Sequence, residues 1–554
     1  MGANSSLRLI QIARPRGWGQ TIRERDQGWH LGDLVGRRVM GRMVMYPSAS
    51  SGRPAEPLCL ELYRHGEAGT DQPYAEAGYW LDVVTSLADW WREHALDDRC
   101  GGYYTNIAQD GRPVAGPEGH DKWGYVVSRT LYSQCAAFAL SGRREFLEAA
   151  QSGVEFLCRH AAFERNGHLL FHTRLDRRGV PHPRRPALVN IFTQIYTLTG
   201  LAAYYEVTRC PRVARVIDAN LRSLVVLFHD DEHGGFFDAI REDNLLVEPG
   251  FTDSKSFNSI VDPLSAVLYF LVGAGFPARH AALVPTIREL CALIIRHFVD
   301  EEHCFIREMF RRDWRYDVPT WRNPYNTPFV AGNVGGNMKT IWVLLRAWDV
   351  LDAAVRAAAE RAITHIHRSV VASGAWDALR GGWFDVLERQ TPPGQSARHL
   401  WHTNKVWWQQ EEGILAALLS HLLWRCPEHW ELALRGMEFY LTCFVDWTRG
   451  GVHDTVSMDG LPVNPQKGCW LKGGYHETEL ARFAHVYLSV LQDRPVTLHY
   501  HVGSHTARDQ YRSVPGRIPG ATWQVVDERL TRDDVLRVTY RHQWSQGSSA
   551  GGKT

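Results

Sequence analysis

A polar and aromatic stretch, "KVWWQQEEG" at residues 405–413, stands directly before an ordinary apolar run. Trp408 and Glu412 follow Lys405 by three and seven residues, so on a helix all three share one face. A cation, an aromatic ring and a carboxylate on one face suit the wall of a pocket that binds a polar ligand. The same pattern is typical of a surface helix with an ion pair, and this stretch alone does not decide between the two.

Bulk composition excludes several classes of function. The formal charge is +1 over 554 residues, so no excess of basic residues indicates binding to nucleic acid or to an anionic membrane. The 10 cysteines form no Cys-x-x-Cys pair and no Cys/His ligand spacing, which argues against a zinc module and against a disulfide scaffold. No apolar run suits a signal peptide or a membrane span. We therefore expect a cytoplasmic protein.

Glycine-aromatic segments recur along the chain and indicate an internal repeat. Four of them, "DDRCGGYY", "DDEHGGFF", "ALRGGWF" and "WTRGGVH", have first glycines separated by 133, 147 and 69 residues. These gaps fit two units, two units and one unit of about 70 residues. The segments "ERNGHLLF" and "DEEHCFIR" stand at the two missing positions. The period therefore predicts six turn sites, at Gly101, Gly167, Gly234, Cys304, Gly381 and Gly450.

Segments with helical periodicity precede most of these turns and follow all of them. In the first unit "YWLDVVTSLADWWREHAL" comes before the turn and "WGYVVSRTLYSQCAAFAL" after it. Six helix pairs of nearly equal length predict a closed (α/α)6 barrel over residues 78–492, because an open array would need distinct polar caps. The Gly-Gly turns predict short hairpins on one rim. The second helices start beside this rim, so six N-termini converge on one mouth that favours polar or anionic ligands.

The two flanks differ from the barrel. Residues 1–77 are rich in Arg, Gly and Pro and have weak periodicity, so we expect a loose N-terminal arm. Residues 493–554 contain the alternating segments "VTLHYHV", "TWQVV" and "VLRVTY". They predict a small β appendage that is followed by a disordered tail. The fold class is therefore all-α, with this appendage.

The starts of the second helices resemble those of the N-acylglucosamine 2-epimerase and cellobiose 2-epimerase family. The segments that carry the resemblance are "DDRCGGYYTNIAQDGRP…DKWGYVVSR", "FTQIYTLTGLAAYYEVT", "KVWWQQEEGILAAL" and "WLKGGYHETEL". Their order at the right units of an independently found repeat makes the likeness specific. It implies an enzyme that epimerises or isomerises a sugar without metal or nicotinamide. The expected partner is a small molecule, with a homodimer as one assembly to test.

The chemistry of this family moves a proton at the carbon beside a carbonyl group. A base removes the C2 proton of an open-chain sugar, and a proton returns to the other face of C2 or to C1. Two proton carriers and donors to the enediolate oxygen are needed. In the family the carriers are usually histidines. The resemblance implies that His476 is one carrier.

The resemblance also implies a set of residues that bind the substrate, near the starts of the second helices: Lys122, Tyr125, Arg129, Asn258, Lys405, Trp408, Glu412 and Tyr475. The two neighbouring tryptophans Trp407 and Trp408 would diverge by about 100° around a helix. We therefore expect one of them to face the sugar and the other to lie in the core.

The chain departs from the family at the second proton carrier. The Gly-His-x-x-Glu of the family has become Gly335-Gly336-x-x-Lys339, so one histidine is absent. Asp262, at a family histidine position, is the candidate replacement, which Lys339 could hold ionised. Asp262-Pro263 is equally typical of a helix N-cap followed by the first helical residue. Lys339 binds either an anionic ligand group or a neighbouring acid.

Three functions are consistent with these residues. The first is a cofactor-independent sugar epimerase or isomerase with an altered catalytic set. The second is hydrolysis or elimination, because other (α/α)6 barrels cleave glycosidic bonds with paired carboxylates, here Asp262 and Glu412. The third is a catalytically silent carbohydrate-binding protein. For all three we expect one cavity that is surrounded by a common set of side chains: Lys122, Arg129, Asp262, Lys339, Lys405 and His476.

Overall fold

The computed structural model describes residues 72–183, 187–276, 280–316, 327–464, 466–503, 511, 513–531 and 534–544, together with four strands nearer the N-terminus. Helices follow one another in six pairs along the chain. They are α1 (Ala77–Ala95) with α2 (Gly124–Ser141), α3 (Arg144–Phe156) with α4 (Ile191–Thr208), α5 (Pro211–Phe228) with the divided α6 (Phe257–Ile260) and α7 (Tyr269–Gly273), α8 (His280–Leu293) and the single turn α9 (Thr327–Val330) with α10 (Val334–Arg346), α11 (Ala353–Ala372) with α12 (Trp407–Trp424), and α13 (Pro427–Phe439) with α14 (Tyr475–Leu491).

The two helices of a pair differ in burial. Nearly every residue of α2, α4, α12 and α14 is buried, whereas α3, α5 and α13 bury one stripe and expose the rest. A helix that is covered all round lies inside a protein, and an amphipathic one lies at its surface. The second helices therefore form an inner ring and the first helices an outer ring. This arrangement confirms the predicted (α/α)6 barrel.

Four strands precede the barrel, where the sequence predicted a loose arm. They are β1 (Ile10–Gln11), β2 (Thr21–Arg23), β3 (Arg38–Met45) and β4 (Pro57–His65), in one sheet of order β1-β3-β4-β2. The segment of β4, "PLCLELYRH", alternates apolar and other residues with the period of a strand. Its surroundings, rich in Arg, Gly and Pro, concealed this signal.

Short antiparallel strand pairs join neighbouring units around the barrel. A strand before an inner helix pairs with a strand that follows the next outer helix. The pairs are β5 (Lys122–Trp123) with β8 (Arg174–Leu175), β9 (Leu188–Asn190) with β10 (Ala239–Arg241), β11 (Lys255–Ser256) with β12 (Met309–Phe310), β13 (Ala331–Asn333) with β14 (Val386–Glu388), and β15 (Lys405–Val406) with β16 (Thr455–Val456). A bridge between Ile107 and Gly468 completes the ring, and Trp91 of α1 donates a hydrogen bond to Glu477 of α14.

Four of the six turns on the rim share one backbone geometry, those at Gly101, Gly234, Gly381 and Gly450. In the first unit the Gly101 N–H donates to the Asp97 carbonyl at 2.8 Å, and the Asp97 N–H donates to the Gly102 carbonyl at 3.0 Å. Gly101 and Gly102 have φ of +72° and +66°, which a side chain would disfavour. A bridge between Leu96 and Tyr103 flanks the turn. In the second unit β6 (Ala162–Arg165) and β7 (His168–Phe171) form a longer hairpin. The predicted hairpins are thus confirmed.

Each of these four turns is stabilised by its own buried lysine. Lys122 Nζ lies 2.9 Å from Asp97 Oδ2 and 2.5 Å from the Gly101 carbonyl oxygen. The same aspartate, lysine and glycine carbonyl recur as Asp230, Lys255 and Gly234, as Asp377, Lys405 and Gly381, and as Asp446, Lys467 and Gly450. Because a buried charge without its partner is strongly destabilising, these lysines are structural parts of the rim.

A three-stranded sheet covers the opposite end of the barrel. It consists of β17 (Val496–His501), β18 (Ala521–Leu530) and β19 (Val535–Trp544), in the order β17-β19-β18. His499 Nδ1 lies 3.2 Å from the Ala139 carbonyl at the end of α2, and Arg517 donates to the Arg346 carbonyl at the end of α10. The predicted β appendage therefore closes the base of the barrel. The predicted tail, residues 545–554, lies outside the described residues.

None of the described helices combines the length and the apolar character that crossing a membrane demands.

Candidate active site

One cavity of about 600 Å³ opens among the N-termini of the inner helices. Each inner helix contributes a lining residue from its first turn: Tyr125, Phe192, Asn258, Gly336, Trp408 and His476. The first turn of a helix carries unpaired N–H groups and the positive end of the helix dipole. The cavity therefore favours a ligand rich in hydroxyl or carbonyl oxygens, as the sequence predicted for the mouth.

Most of the predicted site residues meet at this cavity. Its lining includes Tyr125, Arg129, Asn258, Asp262, Lys339, Trp408 and His476. Two further predicted residues lie directly behind the lining. Glu412 Oε1 is 3.6 Å from Lys339 Nζ, and the Tyr475 ring meets the His476 ring edge-on at 4.8 Å between centroids. Glu412 and Tyr475 therefore contact lining residues and do not line the cavity themselves.

Lys122 and Lys405 do not lie at the cavity, so the expected common ring of six side chains is wrong for these two. Lys405 belongs to β15 and not to the following helix, and so it does not share a helical face with Trp408 and Glu412. Both lysines are fully buried in the rim turns, where they pair with aspartates at 2.9 Å. The strand before each helix turns the lysine side chain away from the mouth.

A buried ion pair lies on one side of the cavity. Lys339 Nζ is 2.9 Å from Asp262 Oδ1 and 3.0 Å from the Tyr196 hydroxyl, which in turn donates to Asp262 at 3.0 Å. Burial favours a lower pKa for Lys339, but the negative charge of Asp262, followed by the effects of Tyr196 and Glu412, outweighs burial and raises the pKa well above its ordinary value. Lys339 is therefore a fixed cation that can stabilise a developing oxyanion.

Asp262 is not a helix N-cap, which corrects one of its two sequence interpretations. The helix begins earlier, at Phe257, and Ser256 caps it in a reciprocal capping box with Ser259. A wide π-type turn over Leu264–Leu268 follows Pro263. Such a turn accommodates a proline that cannot donate a backbone hydrogen bond. Asp262 thus lies in mid-helix with its side chain at the cavity.

His476 lies in the first turn of α14, between aromatic rings and carboxylates. The Trp407 and Trp408 rings are 6.4 and 6.0 Å from its ring, and His476 Nδ1 is 3.5 Å from Glu412 Oε1. Burial, followed by the charges of Arg129, Lys339 and Lys472, lowers the pKa of His476 well below its ordinary value. The imidazole is therefore neutral near neutral pH and can accept a proton.

Both tryptophans of the fifth inner helix line the cavity, although the sequence analysis assigned only one of them to it. Trp407 is the first residue of α12 and is buried, while Trp408 is half-buried. At a helix start, no preceding turn separates the two large rings from the mouth. Together with Phe192 and Trp470 they provide apolar faces on which sugar rings can stack.

Arg129 lines the cavity. Its guanidinium carbon lies 4.1 Å from the centre of the Tyr196 ring, and Nη1 donates to the Leu471 carbonyl. Nε is buried and has no hydrogen-bond partner within the described residues. A buried donor without a partner is costly, so the Arg129 side chain has one N–H group that no described acceptor satisfies.

Glu308 is a lining residue that the sequence analysis missed. Burial and the nearby charge of Asp262 raise the pKa of Glu308 to about 8, against the opposing charge of Arg389. The repeat contained a usable signal. Asp238, Asp385 and Asp454 stand four residues after the turn glycines of their units, and Glu308 stands four residues after Cys304.

Three groups of side chains in the described ranges bring potential metal ligands together. Two of them, around Asp230 and Asp300, lie in rim turns and contact Lys255 and Arg389 at 2.8 Å. The third consists of Glu412, His476 and Glu479. Lys339 and Arg346 already approach its carboxylates, at 3.6 and 4.0 Å. These two cations already neutralise the carboxylates, so the site does not need the positive charge of a metal ion.

Comparisons with known proteins agree with this architecture. No family model matches the chain. It is similar to cellobiose 2-epimerase of Bacteroides fragilis, with 24% identity over 351 residues that cover 60% of this chain and 79% of the relative. It is also similar to N-acylglucosamine 2-epimerase of Mus musculus, with 21% identity over 421 residues that cover 75% of this chain and 91% of the relative.

A solved structure shares the fold. Cellobiose 2-epimerase from Spirochaeta thermophila DSM 6192 aligns with a TM-score of 0.62 at 19% identity, over 76% of this chain and 100% of the other. At this level of identity the likeness concerns the arrangement of helices. It supports the barrel fold.

Proposed function

This chain belongs, at low identity, to the N-acylglucosamine 2-epimerase family, and on that premise we propose that it epimerises or isomerises a free reducing sugar by proton transfer beside the carbonyl. Its curated relatives are epimerases and isomerases, which makes it an isomerase-type enzyme. The substrate is an open-chain sugar in the cavity at the mouth of the barrel. No cofactor is required in this proposal, because the proton carriers are side chains.

The observation that supports the proposal best is the position of His476. Its imidazole lines the cavity, and its lowered pKa keeps it neutral, which is the form that can accept the C2 proton. Lys339 lines the same cavity as a fixed cation that can stabilise the enediolate oxygen. Arg129 supplies a further donor, and the rings of Trp407 and Trp408 suit the faces of a sugar.

The hydrolase alternative is less well supported by the carboxylates that it would need. A glycosidase uses one protonated and one ionised carboxyl group on either side of the scissile bond. Here Asp262 is the buried counter-ion of Lys339 at 2.9 Å, and Glu412 lies behind the lining, 3.6 Å from the same lysine. Neither side chain stands alone at the cavity as a general acid.

The proposal is tested by incubating the protein with reducing sugars in D₂O. A panel of cellobiose, D-mannose, D-glucose and N-acetylglucosamine is followed by NMR for deuterium at C2 and for a new epimer or ketose. We expect at least one sugar to gain deuterium together with its product. The His476→Asn variant is the negative control, since asparagine keeps polarity but carries no proton. A panel that gains no deuterium contradicts the proposed function, and glycosidic cleavage would favour the hydrolase.

A further inference from the structure

The carboxylate of Glu308 occupies the space beside Gly336 in the cavity wall. A Cβ atom on Gly336 would lie 2.4 Å from Glu308 Oε1, so a side chain at position 336 would displace this carboxyl group from its place. Its Cβ would also touch the Phe257 ring, at 3.4 Å. The glycine therefore leaves room for a carboxyl group that comes from another segment of the chain.

The repeat explains how Glu308 reaches this place. In four units the residue four positions after the turn site accepts, through its carbonyl, the N–H of the first residue of the preceding inner helix. The donor and acceptor pairs are Ile191 with Asp238, Phe257 with Glu308, Val334 with Asp385, and Trp407 with Asp454. Residues at this position therefore lie beside an inner-helix N-terminus at the mouth.

Glu308 differs from the three equivalent aspartates in what its side chain contacts. Neighbouring side chains donate to each aspartate: Ser254 and Ser256 to Asp238, Gln409 to Asp385, and Thr455 to Asp454. Within the described ranges, no hydrogen bond reaches the Glu308 carboxylate. The glutamate is one methylene longer than an aspartate, and its carboxylate reaches Gly336 on the next inner helix.

We propose that Glu308 is the second proton carrier and acts on the sugar from the side opposite His476, an inference that rests on the proposed function. Around the ring of six inner helices, the boundary between α6 and α10 faces the boundary between α14 and α2. Glu308 lies at the first boundary, and His476 lies on α14. Two carriers on opposite sides of one carbon are the arrangement that epimerisation requires.

The proposed step conserves protons and electrons. An imidazole nitrogen of His476 takes the C2 proton, the C–H electron pair forms the C1=C2 bond, and one carbonyl pair moves onto O1. Glu308 then gives its carboxyl proton to the opposite face of C2 while the C1=O1 double bond forms again. The proton on His476 returns to Glu308 through solvent, which completes the cycle.

The electrostatic surroundings assign complementary states to the two groups. Burial and Asp262 raise the pKa of Glu308 to about 8, whereas burial and neighbouring cations lower that of His476. Arg389 opposes the shift of Glu308, and the Tyr316 phenol is a further titratable neighbour. Near neutral pH Glu308 therefore holds a proton and His476 accepts one, which is the pattern of an acid and base pair.

Asp262, which the sequence suggested as the second proton carrier, has a different role in the structure. It is bound by Lys339 at 2.9 Å and by the Tyr196 hydroxyl at 3.0 Å. A carboxylate that neutralises a buried lysine loses this ion pair when it takes a proton, which is costly. Asp262 is thus a positioning residue that holds Lys339 at the cavity.

The test separates exchange of the C2 hydrogen from conversion of the sugar. Glu308→Gln keeps size and polarity but carries no proton, and it is assayed in D₂O with the same sugar panel. We expect conversion to fall about 100-fold or more. His476 should still exchange the C2 hydrogen of the epimer that faces it, so deuterium enters one epimer without conversion. Asp454→Asn, the equivalent change in the sixth unit, should leave both rates unchanged.

Each other outcome contradicts the inference in a distinct way. Conversion within threefold of the wild type would show that Glu308 carries no proton, while the proposed function stands. Equal loss of exchange and conversion in a folded Glu308→Gln protein would make its role structural. Wild-type protein without C2 deuterium would remove the proposed function and this role with it.

A second experiment tests whether a histidine at position 336 can replace Glu308 in the space that the two positions share. Gly336→His alone should lower conversion, because its side chain displaces the carboxyl group of Glu308 from the place that it occupies beside the cavity. Glu308→Ala removes the obstacle, and adding Gly336→His to it places an imidazole in the same space. We expect the double variant to convert sugar at least tenfold faster than Glu308→Ala. A folded double variant without this gain would contradict the inference.

Discussion

His476 and Glu308 show how burial has opposite effects on a base and an acid. It lowers the pKa of the imidazole because the cation loses hydration, and it raises the pKa of the carboxyl because the anion loses hydration. Near neutral pH the carboxyl group of Glu308 therefore holds a proton, and the imidazole of His476 is neutral.

The pH dependence of turnover should report this pair. We expect kcat/KM to be level near neutral pH and to fall about tenfold per pH unit above about 8, as Glu308 loses its proton. A pH–rate profile with the best sugar of the panel measures this. A rate that still rises at pH 9.5 would contradict it.

Thermal unfolding tests the raised pKa of Glu308 without the need for a substrate. The pKa of Glu308 is raised in the folded protein, so its contribution to stability is complete below the ordinary pKa and is lost as the pH rises through about 8. The melting temperature of Glu308→Gln relative to the wild type should therefore be higher at pH 9 than at pH 5.

The rim turns show how one element is used repeatedly for structure. An aspartate, two glycines with positive φ and a buried lysine form the same unit at four places around the mouth. The lysine donates to the aspartate and to a glycine carbonyl, so it satisfies a turn that would otherwise bury a charge. The inner helices start from these turns, which fixes their N-termini at the cavity.

Removing one of these lysines should therefore affect stability more than catalysis. Lys405→Met leaves Asp377 buried without its partner at 2.9 Å, which should cost about 3–5 kcal/mol. Thermal or urea unfolding measures the loss, and the folded fraction should keep its kcat. Arg398→Met, in the exposed pair with Glu388, is the matched control and should leave the melting temperature unchanged. A Lys405→Met protein that is as stable as the wild type but inactive would contradict this prediction and indicate that Lys405 acts in the active site.

The barrel as a whole is closed at one end and open at the other. The sheet of β17, β19 and β18 covers the C-terminal ends of inner helices, and the cavity opens at their N-terminal ends. Leu498 of β17 is buried, with 1% of its surface exposed. The sheet thus belongs to the same packed core as the helices.

A core change in this sheet should destabilise the entire barrel in one step. Leu498→Ala should cost about 2–5 kcal/mol and lower a single unfolding transition, with kcat unchanged in the folded protein. Val526→Ala on β18, half exposed at 51%, is the control and should have little effect. Two separate unfolding transitions, observed by calorimetry, would show that the sheet is an independent unit.

The sequence by itself determined the architecture and much of the mouth. Period, turn glycines and apolar faces are local properties, so they predicted the six pairs, the hairpins, the C-terminal strands and the convergence of the inner N-termini. His476 and Arg129 were predicted for the cavity because the segments around them resemble those of the epimerase family. The N-terminal strands were missed because their alternation is weak and lies among Arg, Gly and Pro.

Only the tertiary structure decided which charges face the cavity. Asp262 and Lys339 are 77 residues apart, and their pairing depends on the packing of two inner helices. The strand before α12 directs Lys405 into the rim, which helical spacing could not reveal. Glu308 reaches Gly336 only because the barrel brings a loop and a helix together. The packing of distant segments determines which ion-pair partner a charged side chain has, whereas sequence periodicity indicates only the helix face on which that side chain lies.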